Sequence, residues 1–282
     1  MAILNQLKTV LLLGLLTGVL LGVGYLIGGT GGLTIAFGFA LLLNFVTYWF
    51  SDKIVLAMYR AKEAKKNDYP RLHKIVEEVS KLAKIPKPKI YIIPNNQANA
   101  FATGRNPKHA VVACTSGIMS LLNDNELKGV IAHEIAHVKN RDILISAIAA
   151  VIAGTIMYVA QMAQFAAIFG GDRDRNGGGA LGLLVLAIFT PIIAMLVRLA
   201  ISRSREYLAD ETGAKLIKNG EPLASALLKL ESSSKMNPMR MGSEGSAHMF
   251  IVNPFSGRSM MSLLSTHPLV NERCKKLRSM RF

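Results

Sequence analysis

A chain of 282 residues has room for bilayer-spanning helices plus one compact domain. Its hydrophobic residues, 51% of the total, fall in long uncharged blocks separated by densely charged ones, a pattern of membrane proteins rather than soluble domains. The formal net charge of +15 comes with no nucleic-acid recognition motif, so it reads as the basic cytoplasmic parts of a membrane protein. Cys114 and Cys274 lack CxxC spacing, which excludes a disulfide framework and a cysteine zinc site and leaves two small buried apolar residues.

No charge occurs between Lys8 and Asp52. That run is too long for a signal peptide. Glycine-rich residues 28–32 divide it into apolar halves at 9–27 and 33–50, the first reaching about 28 Å as a helix, one hydrocarbon core. A helical hairpin is expected. Residues 69–86 place Leu72, Ile75, Val76, Val79 and Leu82 at helical spacing, with Pro86 as the stop. Three strand-like runs follow, at 89–93, 98–103 and 110–114, separated by turn residues. A helix starts near Asn123, with Glu126 three residues on as in a capping box.

Further uncharged runs at 143–171 and 176–197, with a short polar turn between them, predict a second hairpin. The alternative is a buried helix pair in a soluble core. Basic residues are absent from the first turn and number two in the second, so the positive-inside rule places both termini and both large polar segments in the cytoplasm. A helix is expected over 202–219, ending at Gly220, and a last one near His267 and Pro268. Residues 232–258 are rich in Ser, Gly and Met and read as a loop that could cover a cleft. No internal repeat is present. The expected division is an N-terminal hairpin (1–52), a first cytosolic part (53–142), a second hairpin (143–200) and a second cytosolic part (201–282).

The chemistry is carried by His133-Glu134-Ile135-Ala136-His137, an HExxH motif. Residues i and i+4 leave a helix on one face, so both imidazoles can grip one Zn²⁺ at about 2.0–2.1 Å. Glu134 can then act as general base. Chance would supply roughly 0.005 such motifs in a chain of this composition. The extended HExxHxxGxxH form is absent, since Asn140 and Ile143 hold its last two positions. The third ligand must come from elsewhere. Glu206 and Asp210 share a helix face in an ExxxD pattern, weak alone but strengthened by the hairpin that would return the chain to the membrane face it left. Glu206 can bind zinc while Asp210 accepts the outer N–H of a ligand histidine. His248 and His267 are rival ligands.

These residues together resemble the HtpX heat-shock membrane proteases of bacteria, relatives of the CAAX prenyl proteases. The resemblance runs from the N-terminal hairpin through residues 99–104, the HExxH, Glu206 and Asp210 to Ser265-Thr266-His267-Pro268 and Arg273. It implies a mainly α membrane protein with a small β-sheet: four transmembrane helices in two hairpins plus a cytosolic gluzincin-type zinc protease domain. It implies one zinc held by His133, His137 and Glu206, and Glu134 as catalytic base. His267 and Arg273 would lie near zinc and could stabilise an oxyanion. Asn99, Ala100 and Phe101 would begin an edge strand that pairs with an extended substrate. The implied substrates are misfolded or membrane proteins, in quality control at the bacterial inner membrane, with termini and active site cytosolic. A site-specific processing protease and a non-enzymatic membrane scaffold with structural zinc are the rival readings. Structural zinc sites are usually closed by four ligands, often cysteine, which counts against the scaffold.

Overall fold

The computed structural model describes residues 2–153, 203–236, 251 and 268–282. The first helix, α1 (Ala2–Met58), is two arms joined at Gly28 and Gly29, where the backbone leaves helical geometry. Gly29 takes φ +56 with ψ −139, a combination open only to a residue without Cβ. The arms fold back on one another: Asn44 in the second donates to Thr17 Oγ1 in the first at 2.7 Å. The hairpin expected from the glycine run is present, and its turn is tighter than expected, since residues 30–32 are already helical.

The second arm does not stop at Phe50. It continues through Asp52 to Met58, because Val55 and Leu56, with Tyr59 beyond, are buried against the sheet. The expected boundary at residue 52 thus falls inside a helix. Among the described residues one helix, Gly28–Met58, is long and apolar enough to cross a membrane. Leu7–Gly22 and Ile143–Ala153 (α5) are shorter apolar helices. The rest of the expected third span and the whole of the fourth lie outside the described residues, as does most of loop 232–258.

The sheet has four strands in the order β1-β2-β4-β3: β1 (Lys62–Glu63), β2 (Lys89–Ile93), β3 (Ala100–Thr103) and β4 (Val111–Thr115). β2 and β4 are parallel, and β3 runs antiparallel to β4 with Phe101 opposite Ala113. The strands alternate between two buried faces. Ala100, Ala102, Val112 and Cys114 join the core formed with the helices outside α1 and α5. Phe101, Val111 and Ala113 face the other way, onto Val55 and Tyr59 of the α1 end and Ala150 and Val151 of α5. Burial on both faces explains why β3 and β4 read as continuous apolar runs. Both cysteines are free and buried, as expected.

Helices α2 (Pro70–Ala83), α3 (Ser116–Leu121), α4 (Asp124–Asn140), α6 (Arg203–Ile217), α7 (Glu221–Met236) and α8 (Val270–Ser279) complete the fold. α2 buries Leu72, Ile75, Val76 and Val79 as the spacing predicts, but Leu82 is 45% exposed and Ala83 takes the inner position. Leu82 lies at the edge of the apolar stripe in the last turn, which closes at a left-handed Lys84 before Pro86 is reached.

Candidate active site

α4 is held at both ends. At its start, Asn123 Oδ1 accepts from the Glu126 N–H at 2.9 Å and Glu126 Oε2 accepts from the Asn123 N–H at 3.0 Å, a complete capping box. Glu126 also accepts from Ser225 Oγ at 2.7 Å and from Lys229 Nζ, which ties α4 to α7. Burial alone would raise the Glu126 carboxyl; Lys229, Ser225 and the Asn123 N–H outweigh it and hold the group below the usual carboxylate range. At the other end Arg141 adopts φ +58 and returns its N–H to the last turn. That left-handed residue redirects the chain so that Asp142 comes back under His137.

The ring nitrogens His133 Nε2 and His137 Nε2 face one another at 3.1 Å, with the rings edge to face. Glu206, from α6, places Oε2 3.7 Å from His133 Nε2 and Oε1 3.6 Å from His137 Nε2. The expected trio therefore converges on one point despite its separation in sequence, and forms a group that could hold a metal ion. α6 reaches α4 this closely because residue 213 is glycine. A Cβ there would stand 2.9 Å from the backbone of Ala132 and His133.

Two carboxylates orient the rings. Asp210 Oδ1 accepts from His133 Nδ1 at 2.9 Å, and Asp142 Oδ2 accepts from His137 Nδ1 at 3.0 Å. Assigned from these partners, the protons sit on Nδ1, so both Nε2 atoms present lone pairs to the same point. At 3.1 Å the two Nε2 atoms share a positive charge, either a proton on His137 or a cation held by both. Donors on one tetrahedral metal at about 2.0–2.1 Å stand about 3.3–3.4 Å apart, and the three separations here bracket that value. The residues present fit a zinc-sized ion.

Asp210, expected to accept from a histidine of the motif, lies against His133. Asp142 was not expected in the site. Its signal in the sequence is only an acidic residue five positions after His137. Arg205 is half-buried, with its charge acting on Asp142 and Glu206. Arg273 is in the site and fully buried, but its guanidinium is engaged by Asp210: Nε donates to Oδ2 at 2.8 Å and Nη2 to Oδ1 at 2.7 Å. Its Nη1 donates to the Ile251 carbonyl at 3.1 Å and lies 3.6 Å from Glu206 Oε2.

Glu134 is buried beside the triad and accepts from the Ala102 N–H. Burial first, and then Glu206, push its carboxyl up to about 8, against His137 and the Ala102 N–H. Burial lowers His133 against the pull of Asp210. For His137 burial works downward too, but Asp142 and Glu206 outweigh it and lift the ring to about 10. Glu206 thus acts on both Glu134 and His137 as a negative charge at the point the trio shares.

β3 forms one edge of the sheet, and the Ala102 N–H that reaches Glu134 belongs to it, so this strand borders the site. Asn99 is buried just before it, its Oδ1 accepting from the Ala100 N–H and the Ile251 N–H at 3.1 Å each. Phe101 is buried on the opposite face against Tyr59, with ring centroids 5.7 Å apart. His267 and the rival ligand His248 lie outside the described residues.

The sequence model of peptidase family M48 matches residues 66–281. The chain belongs to that family. Within it the chain stands with the HtpX group: it is 54% identical to a protease HtpX homolog of Syntrophobacter fumaroxidans, over 98% of this chain and 99% of that protein. It is 53% identical to one of Pyrococcus furiosus (96% and 94%) and 54% to one of Persephonella marina (98% and 97%). In fold it is similar to the crystal structure of S. mikatae Ste24p, with a TM-score of 0.51 at 18% identity, over 98% of this chain and 66% of that one. This M48 chain is thus a metallopeptidase, mainly helical with a small mixed sheet.

Proposed function

We propose that this M48 peptidase is a zinc-dependent endopeptidase of the bacterial cytoplasmic membrane. In this reading four spans form two hairpins, with both termini and the active site cytosolic. Misfolded or damaged membrane and cytosolic-side proteins are the substrates. The observation that carries the reading is the meeting of His133 Nε2, His137 Nε2 and Glu206 at one buried point, with Glu134 beside it. The lipid contact rests on α1, whose Ile35 is 76% and Leu42 60% exposed, within a run that water would not tolerate but acyl chains would.

His133, His137 and Glu206 would hold the ion, with Asp210 and Asp142 fixing the two rings. Zinc in that position supplies Lewis acidity to the scissile carbonyl and to the attacking water. Glu134 takes the proton of the attacking water and passes it to the leaving amine. Arg273 acts first as a positioning residue: it clamps Asp210, which orients His133. A direct role at the oxyanion, with His267, would require part of the guanidinium to turn from Asp210. An extended substrate pairs along β3 from Ala100 onward, which delivers its backbone to Glu134.

Glu134→Gln tests the assignment. The purified full-length variant should keep one zinc per chain and lose at least ~10²-fold in casein cleavage. Undiminished cleavage by a clean preparation contradicts the role of Glu134.

A further inference from the structure

On the side of the sheet reached by α1 lies a cleft of about 660 Å³ that contains none of the peptidase residues. One wall is the exposed aromatic stretch Phe45, Trp49 and Phe50, at the end of the apolar part of α1. The floor is basic: Lys53, Lys87, Lys89, Arg105 and Lys108 line it, with Asp52 the one carboxylate among the lining residues. Among the described residues only Lys87 of these five cations has a carboxylate partner, Glu77 at 3.1 Å. The Arg105 guanidinium lies over the Trp49 ring at 4.5 Å, and the Lys53 ammonium 5.1 Å from the Phe50 centroid. His109 steadies Arg105 from the other side at 3.0 Å.

The position of this cleft is set by sequence. Aromatic residues at the end of an apolar span sit at headgroup level, and the first charges after Lys8, Asp52 and Lys53, follow at once. A cavity there is apolar on the bilayer side and cationic on the water side. The geometry points to a binding site for one anionic phospholipid, its phosphate on Arg105, Lys89 and Lys108 and its acyl chains along Phe45 and Trp49. Charge complementarity selects the occupant. A zwitterionic lipid brings its own cation to a floor that already has an excess of positive charge. A soluble anion gains nothing from the aromatic wall. The bound lipid bridges α1 to the loop between β3 and β4, and so joins the membrane anchor to the sheet edge that borders the active site. The site stands whether or not the peptidase assignments hold.

The test uses full-length protein in detergent and native mass spectrometry, titrated with phosphatidylglycerol or phosphatidylcholine. Phosphatidylglycerol should give a saturable one-lipid adduct and phosphatidylcholine should not. The double substitution Lys89→Gln/Lys108→Gln, at two exposed side chains, should weaken that adduct by roughly 10–30-fold. Lys235→Gln/Lys275→Gln removes equal charge from exposed positions on α7 and α8, which contribute no residue to the cleft, and should leave it unchanged. Inorganic phosphate at millimolar concentration should fail to displace the lipid. Equal binding of both lipids, an equal effect of the control pair, or full displacement by phosphate would each overturn the proposal, the last by showing a site for free anions only.

Discussion

A metal ligand histidine is only as good as the atom that holds its far side, and here the two rings are held differently. His133 leans on Asp210, which is itself gripped by two donors of Arg273, whereas His137 leans at 3.0 Å on Asp142, which has the Arg205 charge near it. Asp142→Asn removes the charge and frees the ring to take either tautomer. Zinc affinity measured by chelator competition should fall about 10–100-fold, and excess zinc should restore cleavage. Unchanged affinity would mean that Asp142 does not orient the ring. HExxH was legible at this scale because two imidazoles four apart on a helix leave little choice of geometry. Asp142 was not, because its return depends on one left-handed residue, Arg141, whose φ no spacing rule announces. Nor was the Arg273–Asp210 clamp, which joins residues far apart in the chain.

The elements decide how closely those residues approach. α4 and α6 meet at Gly213, whose hydrogen faces the backbone at His133. Gly213→Ala must separate the helices or shift their register. The variant should retain less zinc and melt earlier, by a margin of about 1–3 kcal/mol in detergent unfolding. A variant with wild-type zinc content and stability would remove the close-approach argument. At the α4 start, Glu126 has a depressed folded pKa, so its contribution is present above its unfolded value near ~4.3 and is lost as pH falls through the lower folded one. Glu126→Gln should therefore cost about 1 kcal/mol at neutral pH, with the difference from wild type shrinking as the scan moves below about pH 4. A pH-independent difference would show that the cap works without its charge.

Element identity was largely legible: the capping box at Asn123, the strand at 89–93 and the glycine break in α1 all sit where local chemistry put them. Boundaries were less so. β3 starts two residues later than expected, because Asn99 spends its side chain on the backbone of Ala100 and Ile251. The α1 end was missed because its last two turns are determined by the sheet they pack on rather than by apolarity.

Across the whole molecule, α1 and α5 pack together through Leu12, Leu16, Ile145 and Ile148, and α5 follows α4 after only two residues. The peptidase helix is thus joined directly to the apolar layer, while the sheet separates that layer from the helices carrying Glu206 and Arg273. This arrangement sets the proposed hydrolytic site beside the apolar layer without placing its charges inside that layer. The proposed chemistry requires that His133, His137 and Glu206 hold one ion. Zinc K-edge X-ray absorption on full-length Glu134→Gln protein in detergent tests it most directly. Nitrogen and oxygen scatterers alone should appear at about 2.0–2.1 Å, two of them imidazoles, and that spectrum should be lost in Glu134→Gln/Glu206→Ala. Sulfur at about 2.3 Å, or a spectrum indifferent to Glu206, would contradict it.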